Sequence, residues 1–183
     1  KLSQVLWRKL QPSEANNAED HLLDTTYEML KASQYELAIR LLTFALKPPM
    51  KFEEARSRYV CIVNLALAYK WSGDEAKCSE IVDAEDWSAV PLELKLAAAV
   101  LRDRVDESIT IMKQIGTSGA VTRQNYEEWP LFLKLRRTRR FVQAYREIFK
   151  TKFEVSEFPK ELTSALSESS SSRPKGKKTK PSS

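Results

Sequence analysis

The chain has 183 residues, 42% of them hydrophobic and 30% charged, which is the length and composition of one soluble domain with a sizeable core. Its apolar runs, such as Leu96 to Leu101, fall far short of the roughly 18 residues a membrane-spanning helix needs, which excludes a spanning role. The formal charge of +5 is unevenly placed: residues 1–120 hold 15 Lys and Arg against 18 Asp and Glu, residues 121–152 hold nine against three, and residues 153–183 six against four.

Taken in chain order, residues 1–18 read as an N-terminal helical segment or linker, with Val5, Leu6, Trp7 and Leu10 apolar and a polar run from Pro12 through Asp20. Lys1 stands where a natural start would carry Met, so the chain is expected to be processed or one piece of a longer protein. Apolar spacing then predicts a helix pair at about 20–33 and 35–47, stopped by Pro48-Pro49, since proline donates no backbone hydrogen bond and clashes with the preceding turn. A second pair is predicted at about 53–72 and 74–85, joined by Ser72-Gly73-Asp74, where Gly accepts a positive φ and Asp caps the next helix. A third follows at about 91–103 and 105–115, with Pro91 suited to a first helical turn. Residues 117–124 read as a loop. Residues 117–152 as a whole read as a C-terminal capping unit built on Tyr126, Trp129, Leu131, Phe132, Leu135, Phe141, Tyr145, Ile148 and Phe149. Residues 153–183, rich in Ser and Lys, have too little apolar surface to offset the entropy of ordering and are expected to be disordered.

Large and small residues alternate at helical spacing three times. The second copy is Leu65-Ala66, Tyr69, Gly73 and Cys78. The first is Leu22, Thr26, Met29, Ser33, Tyr35, Ala38, Leu42 and Ala45, and the third Leu92, Leu96, Ala99, Val105, Ser108 and Met112. At these residues the sequence resembles the tetratricopeptide repeat (TPR) family, a helix-turn-helix unit of about 34 residues with small residues where its two helices cross. The copies depart from that family in lacking its early Trp and in register, which begins near Glu19, Tyr59 and Ala89. Trp129-Pro-Leu-Phe, Leu135-Arg, Thr138, Phe141, Tyr145 and Phe149 are similar to the segment that closes bacterial TPR-like proteins. The resemblance implies an all-α fold: a short TPR-like α-α solenoid of about three helix pairs over residues 19–116, closed by the cap.

The residue inventory offers little for catalysis. His21 is the one histidine, the four glycines at 73, 116, 119 and 176 form no phosphate loop, and Glu53-Glu54, Asp83 to Asp86 and Glu127-Glu128 point in different directions if helical. Cys61 and Cys78 have no metal-binding or redox spacing, so the expectation is packing, no disulfide, no metal, no cofactor and no enzyme activity, in a cytoplasmic setting. Lys175-Gly-Lys-Lys-Thr-Lys180 would serve nuclear import if the host has a nucleus.

A binding role fits better. The resemblance implies a concave groove lined by the first helix of each pair, at Asp20, Leu23, Asp24, Tyr27, Leu30 and Lys31; at Val60, Val63, Asn64, Leu67, Lys70 and Trp71; and at Val90, Glu93, Leu94, Ala97, Val100 and Leu101. Asp24, Tyr27, Lys31, Asn64, Lys70, Trp71 and Glu93 are the peptide-binding candidates. Asp20, Asp24 and Glu93 beside Leu and Val suit a partner segment part basic and part apolar. The chain is thus expected to be an adaptor or scaffold recognising another protein or peptide. The alternatives are a nucleic-acid-associated protein gripping phosphates with Arg136, Arg137, Arg139 and Arg140 plus the basic tail, and the interaction domain of a larger enzyme.

Overall fold

The computed structural model describes residues 12–48 and 51–153, with side chains from Ala18 onward. The sequence readings for Val5 to Leu10 and for the Ser/Lys-rich tail lie outside the described residues. Among the described residues eight α-helices run in order: α1 (Pro12–Lys31), α2 (Tyr35–Ala45), α3 (Ala55–Ser72), α4 (Glu75–Asp83), α5 (Leu92–Leu101), α6 (Val105–Ile115), α7 (Arg123–Glu128) and α8 (Arg139–Phe149). Two 3-10 turns, Pro130–Phe132 and Leu135–Arg137, separate the last two helices, and no strand is present among the described residues. No helix among the described residues is long and apolar enough to cross a membrane.

The helices α1 to α6 form successive pairs. Three pairs pack in series, each first helix touching its own second helix and the first helix of the next pair. One turn geometry joins all three pairs. Ser33, Gly73 and Asp103 adopt positive φ values of 57°, 95° and 55°. The amide after each donates five residues back, Gln34 to the carbonyl of Met29, Asp74 to that of Tyr69 and Arg104 to that of Ala99, at 2.8–2.9 Å. This closure satisfies the carbonyls that a helix end leaves open and reverses the chain into an antiparallel neighbour. Five residues beyond each turn lies a small buried residue, Ala38, Cys78 or Ser108, and four further on a larger one, Leu42, Val82 or Met112, each fully enclosed. The unequal register of the sequence copies is therefore a property of the folded chain.

The linkers absorb the difference. After α2, the backbone amide of Glu53 donates to the buried Glu19 carboxylate at 2.7 Å, tying the linker to α1. After α4, Trp87 is buried, donates its indole N–H to the Val82 carbonyl at 2.7 Å and stacks 5.3 Å from Tyr59. Arg58 makes two bonds to Glu85 across the same linker, at 2.9 and 2.7 Å.

Two sequence expectations change. The first helix begins at Pro12 rather than near Asp20: proline fits a first turn, and Glu14, Ala15 and Ala18 favour helix, but with no apolar stripe the segment reads as a polar run. Arg123 and Gln124 belong to α7 rather than to a loop, because Thr122 and Asn125 form a reciprocal cap at that helix's start. Helix α3 is enclosed from Cys61 through Ala68 without a break, and α5 from Leu96 through Leu101, which gives both the all-round apolar character of interior helices.

Candidate functional site

Helix α3 is enclosed by α1, α2, α4 and α5, while the C-terminal segment returns against α5 and α6 and faces the last turns of α3 across a cleft. The first 3-10 turn packs on α5, and α8 packs beside α6 with Lys113 bonded to Glu147 at 2.6 Å. The return is shaped by one proline. Pro130 lies four residues after Tyr126 and has no N–H, so the Tyr126 carbonyl lacks its helical donor. Arg136 supplies it: Nε donates to the Tyr126 carbonyl at 2.7 Å and Nη2 to the Trp129 carbonyl at 2.6 Å. The side chain is only 4% exposed, and burial lowers its pKa to about 10, which still leaves it charged at neutral pH. Around it the rings of Tyr126, Phe132, Phe141, Tyr145, Phe149 and Phe153 pack with centroids 4.9–6.4 Å apart. Outside the rings, the Tyr145 hydroxyl donates to Glu127 and accepts from Arg123 Nε at 2.9 Å; that hydroxyl, more than Arg123, holds the Glu127 carboxyl below its ordinary range.

Between this segment and the stack lies a cleft of about 230 Å³. Leu67, Lys70 and Trp71 of α3 form one wall; Val100, Leu101, Asp103, Val105 and Ser108, around the α5–α6 turn, form the second; Leu131, Lys134, Leu135 and Thr138 close the third. The lining is apolar apart from Ser108, Thr138 and a charged trio. Lys70 Nζ donates to the Leu101 carbonyl at 2.6 Å and lies 3.0 Å from Asp103, whose other carboxylate oxygen is 2.8 Å from Lys134 Nζ. Ser108 Oγ is already spent on the Arg104 carbonyl at 2.8 Å. The indole nitrogen of Trp71 is out of solvent and has no hydrogen-bond partner among the described residues.

Of the seven peptide-binding candidates, Lys70 and Trp71 line this cleft and the others do not. Asp24 and Lys31 are exposed on α1, with Lys31 3.5 Å from Glu28 and 5.3 Å from the centre of the Tyr27 ring. Tyr27 is half-buried; its hydroxyl pKa is raised chiefly by burial, and Glu128 and Arg136 of the returning segment are close enough to act on it. Asn64 is 2% exposed and donates to Thr26 Oγ1 at 3.3 Å, so its amide faces the interior rather than a partner. Glu93 pairs with Arg56 at 3.6 Å. The open groove expected from the sequence is covered by the chain itself: Leu30, Val63, Leu67, Leu94, Ala97, Val100 and Leu101 are all buried.

The four arginines expected to act together are divided. Arg136 is inside and serves two carbonyls, Arg140 pairs with Asp106, and Arg137 and Arg139 are exposed. The sequence reading missed Asp103, Val105, Lys134 and Thr138. Asp103 had a signal, since it occupies the turn position that Gly73 fills in the preceding pair; Lys134 and Thr138 reach the cleft only through the fold of the C-terminal segment. Among the described residues no group of three or more His, Cys, Asp or Glu side chains is placed to hold a metal ion. No family model, curated protein or solved structure matches the chain, so its helix-pair architecture is described from its own geometry.

Proposed function

We propose that the chain is a noncatalytic interaction module, an adaptor or scaffold that binds another protein by taking one of its apolar side chains into the cleft between α3, the α5–α6 turn and the C-terminal segment. The observation that carries this reading is the cleft itself, largely apolar and walled by Leu67, Trp71, Val100, Leu101, Leu131 and Leu135. A volume of about 230 Å³ is below the roughly 300–1,000 Å³ of small-molecule pockets and suits a single large side chain. The Trp71 ring offers apolar contact area on one wall, and an aromatic side chain seated in such a pocket is the usual anchor of protein contacts. The turn-phased helix pairs support a TPR-like ancestry, with the difference that the groove is shared with the chain's own C-terminal segment. A cytoplasmic setting is in keeping with two buried free thiols. The nucleic-acid reading loses support, since Arg136 and Arg140 are engaged within the chain.

Val105→Trp tests the proposal, because Val105 is a half-buried lining residue at the first position of α6 and a larger side chain there fills the cleft. Partners captured by the wild type are expected to be lost from a Val105→Trp variant whose thermal midpoint is retained. Unchanged capture would refute the cleft as the binding site.

A further inference from the structure

We infer that the partner segment is acidic beside its apolar anchor. The inference rests on the cleft reading above and concerns the charge of the mouth. Two ammonium groups, Lys70 and Lys134, converge on the single carboxylate of Asp103, so the trio carries one more positive charge than negative. The two lysines differ in freedom. Lys70 has a side chain 8% exposed and is fixed by the Leu101 carbonyl as well as by Asp103, whereas the Lys134 side chain is 50% exposed. Lys134 can therefore turn toward an incoming carboxylate while Lys70 continues to balance Asp103.

The third wall adds charge of the same sign. Thr138 lines the cleft and is the N-cap of α8, accepting from the Phe141 amide at 3.2 Å, so the positive end of an eleven-residue helix lies at the mouth. Arg139 is exposed on that first turn. Nearby acids are already balanced: Asp106 by Arg140 and Glu107 by Arg104, the latter at 3.3 Å. A basic segment entering here would meet only a carboxylate that two lysines share. The acids that favoured a basic partner in the sequence, Asp20, Asp24 and Glu93, do not line the cleft, so the sign of the partner is reversed from that expectation.

A peptide array separates this inference from the reading beneath it. The probes are short synthetic peptides with one central Leu, Ile, Phe or Trp in an Ala/Gly frame, carrying Asp or Glu, or else Lys or Arg, within three residues of the anchor; the binder is the fluorescently labelled full chain. At low ionic strength the acidic peptides are expected to bind roughly threefold to tenfold more tightly than the basic ones, with the difference shrinking as salt is raised. Lys134→Glu should abolish or invert the preference. Lys134→Gln, which places no new carboxylate against Asp103, should reduce it while uncharged peptides still bind. Equal binding of both sets, or a preference for basic peptides, with Val105→Trp still blocking, would overturn the acidic partner and leave the cleft reading standing. Absence of binding by every peptide, or binding indifferent to Val105→Trp, would overturn the cleft reading itself.

Discussion

Replacing Arg136 with methionine keeps much of the side chain's length and apolar stem while removing every donor. The loss falls on two carbonyls of unequal standing. The Trp129 carbonyl also accepts from the Phe132 amide at 3.1 Å, so it stays partly satisfied, whereas the Tyr126 carbonyl lies opposite Pro130 and has no helical donor to fall back on. Hydrogen bonds to a charged donor contribute roughly 1.5–3 kcal/mol each, and relief of the buried charge offsets part of their loss, so the expected net cost is about 2–4 kcal/mol. That is a large share of the roughly 5–15 kcal/mol typical of a domain and corresponds to a fall in thermal midpoint of about 6–12 °C. Urea unfolding followed by tryptophan fluorescence measures it, with a lower midpoint at unchanged slope as the expected signature. Arg136→Lys is expected to fall between, because one ammonium on a shorter stem serves one of the two carbonyls. A methionine variant within about 0.5 kcal/mol of wild type would show that the returning segment is held by its aromatic packing alone and would refute the bridging role.

Other consequences are open to direct measurement. Gly73→Ala meets no atom within 4 Å but forces a φ of 95° on a residue with a Cβ, so a loss of about 1–2 kcal/mol is expected in denaturant unfolding, while Ser33→Gly at the equivalent turn should gain up to about 1 kcal/mol. Burial pushes the Cys61 thiol up to about 12 and that of Cys78 to about 11, so neither should react with a thiol reagent at pH 8 in the native state and both should react on unfolding; rapid native labelling of either would contradict their placement. Glu127 has a folded-state pKa below its ordinary 4.5, so its contribution is complete above that value and is lost as pH falls through the lower, folded one. Tyr145→Phe removes the main cause and should be less stable than wild type at neutral pH, with the gap narrowing below pH 4.5; a gap independent of pH would place the hydroxyl's role elsewhere.

The helix pairs were legible because local signals agreed with one another: Gly73 marks a turn, Pro91 stands just before α5, and the small residues Ala38, Cys78 and Ser108 fall at matching places after each turn. The start of α1 was not, since Pro12 to Ala18 carries helix propensity without an apolar face, and periodicity senses only the latter. Of the candidate cleft, the sequence offered Lys70 and Trp71, expected in an open groove; the side formed by Leu131, Lys134, Leu135 and Thr138 depends on where the C-terminal segment lies, which no spacing within that segment encodes. Four neighbouring arginines look alike as letters, and tertiary packing selects Arg136 for the interior. The local clue was the missing donor at Pro130, four residues beyond Tyr126.

The three turns at Ser33, Gly73 and Asp103 also bear on how such a chain can change. Because each pair is phased by its own five-residue closure, additions and deletions between pairs leave the internal alignment of every pair intact. The linkers act as adjustable joints, restrained at a few pins such as the Glu53 amide on Glu19 and the Trp87 indole on Val82. Insertion of a tag or a grafted loop at Lys47 or Pro48, clear of those pins, is therefore the route by which this scaffold can be lengthened without rebuilding its core.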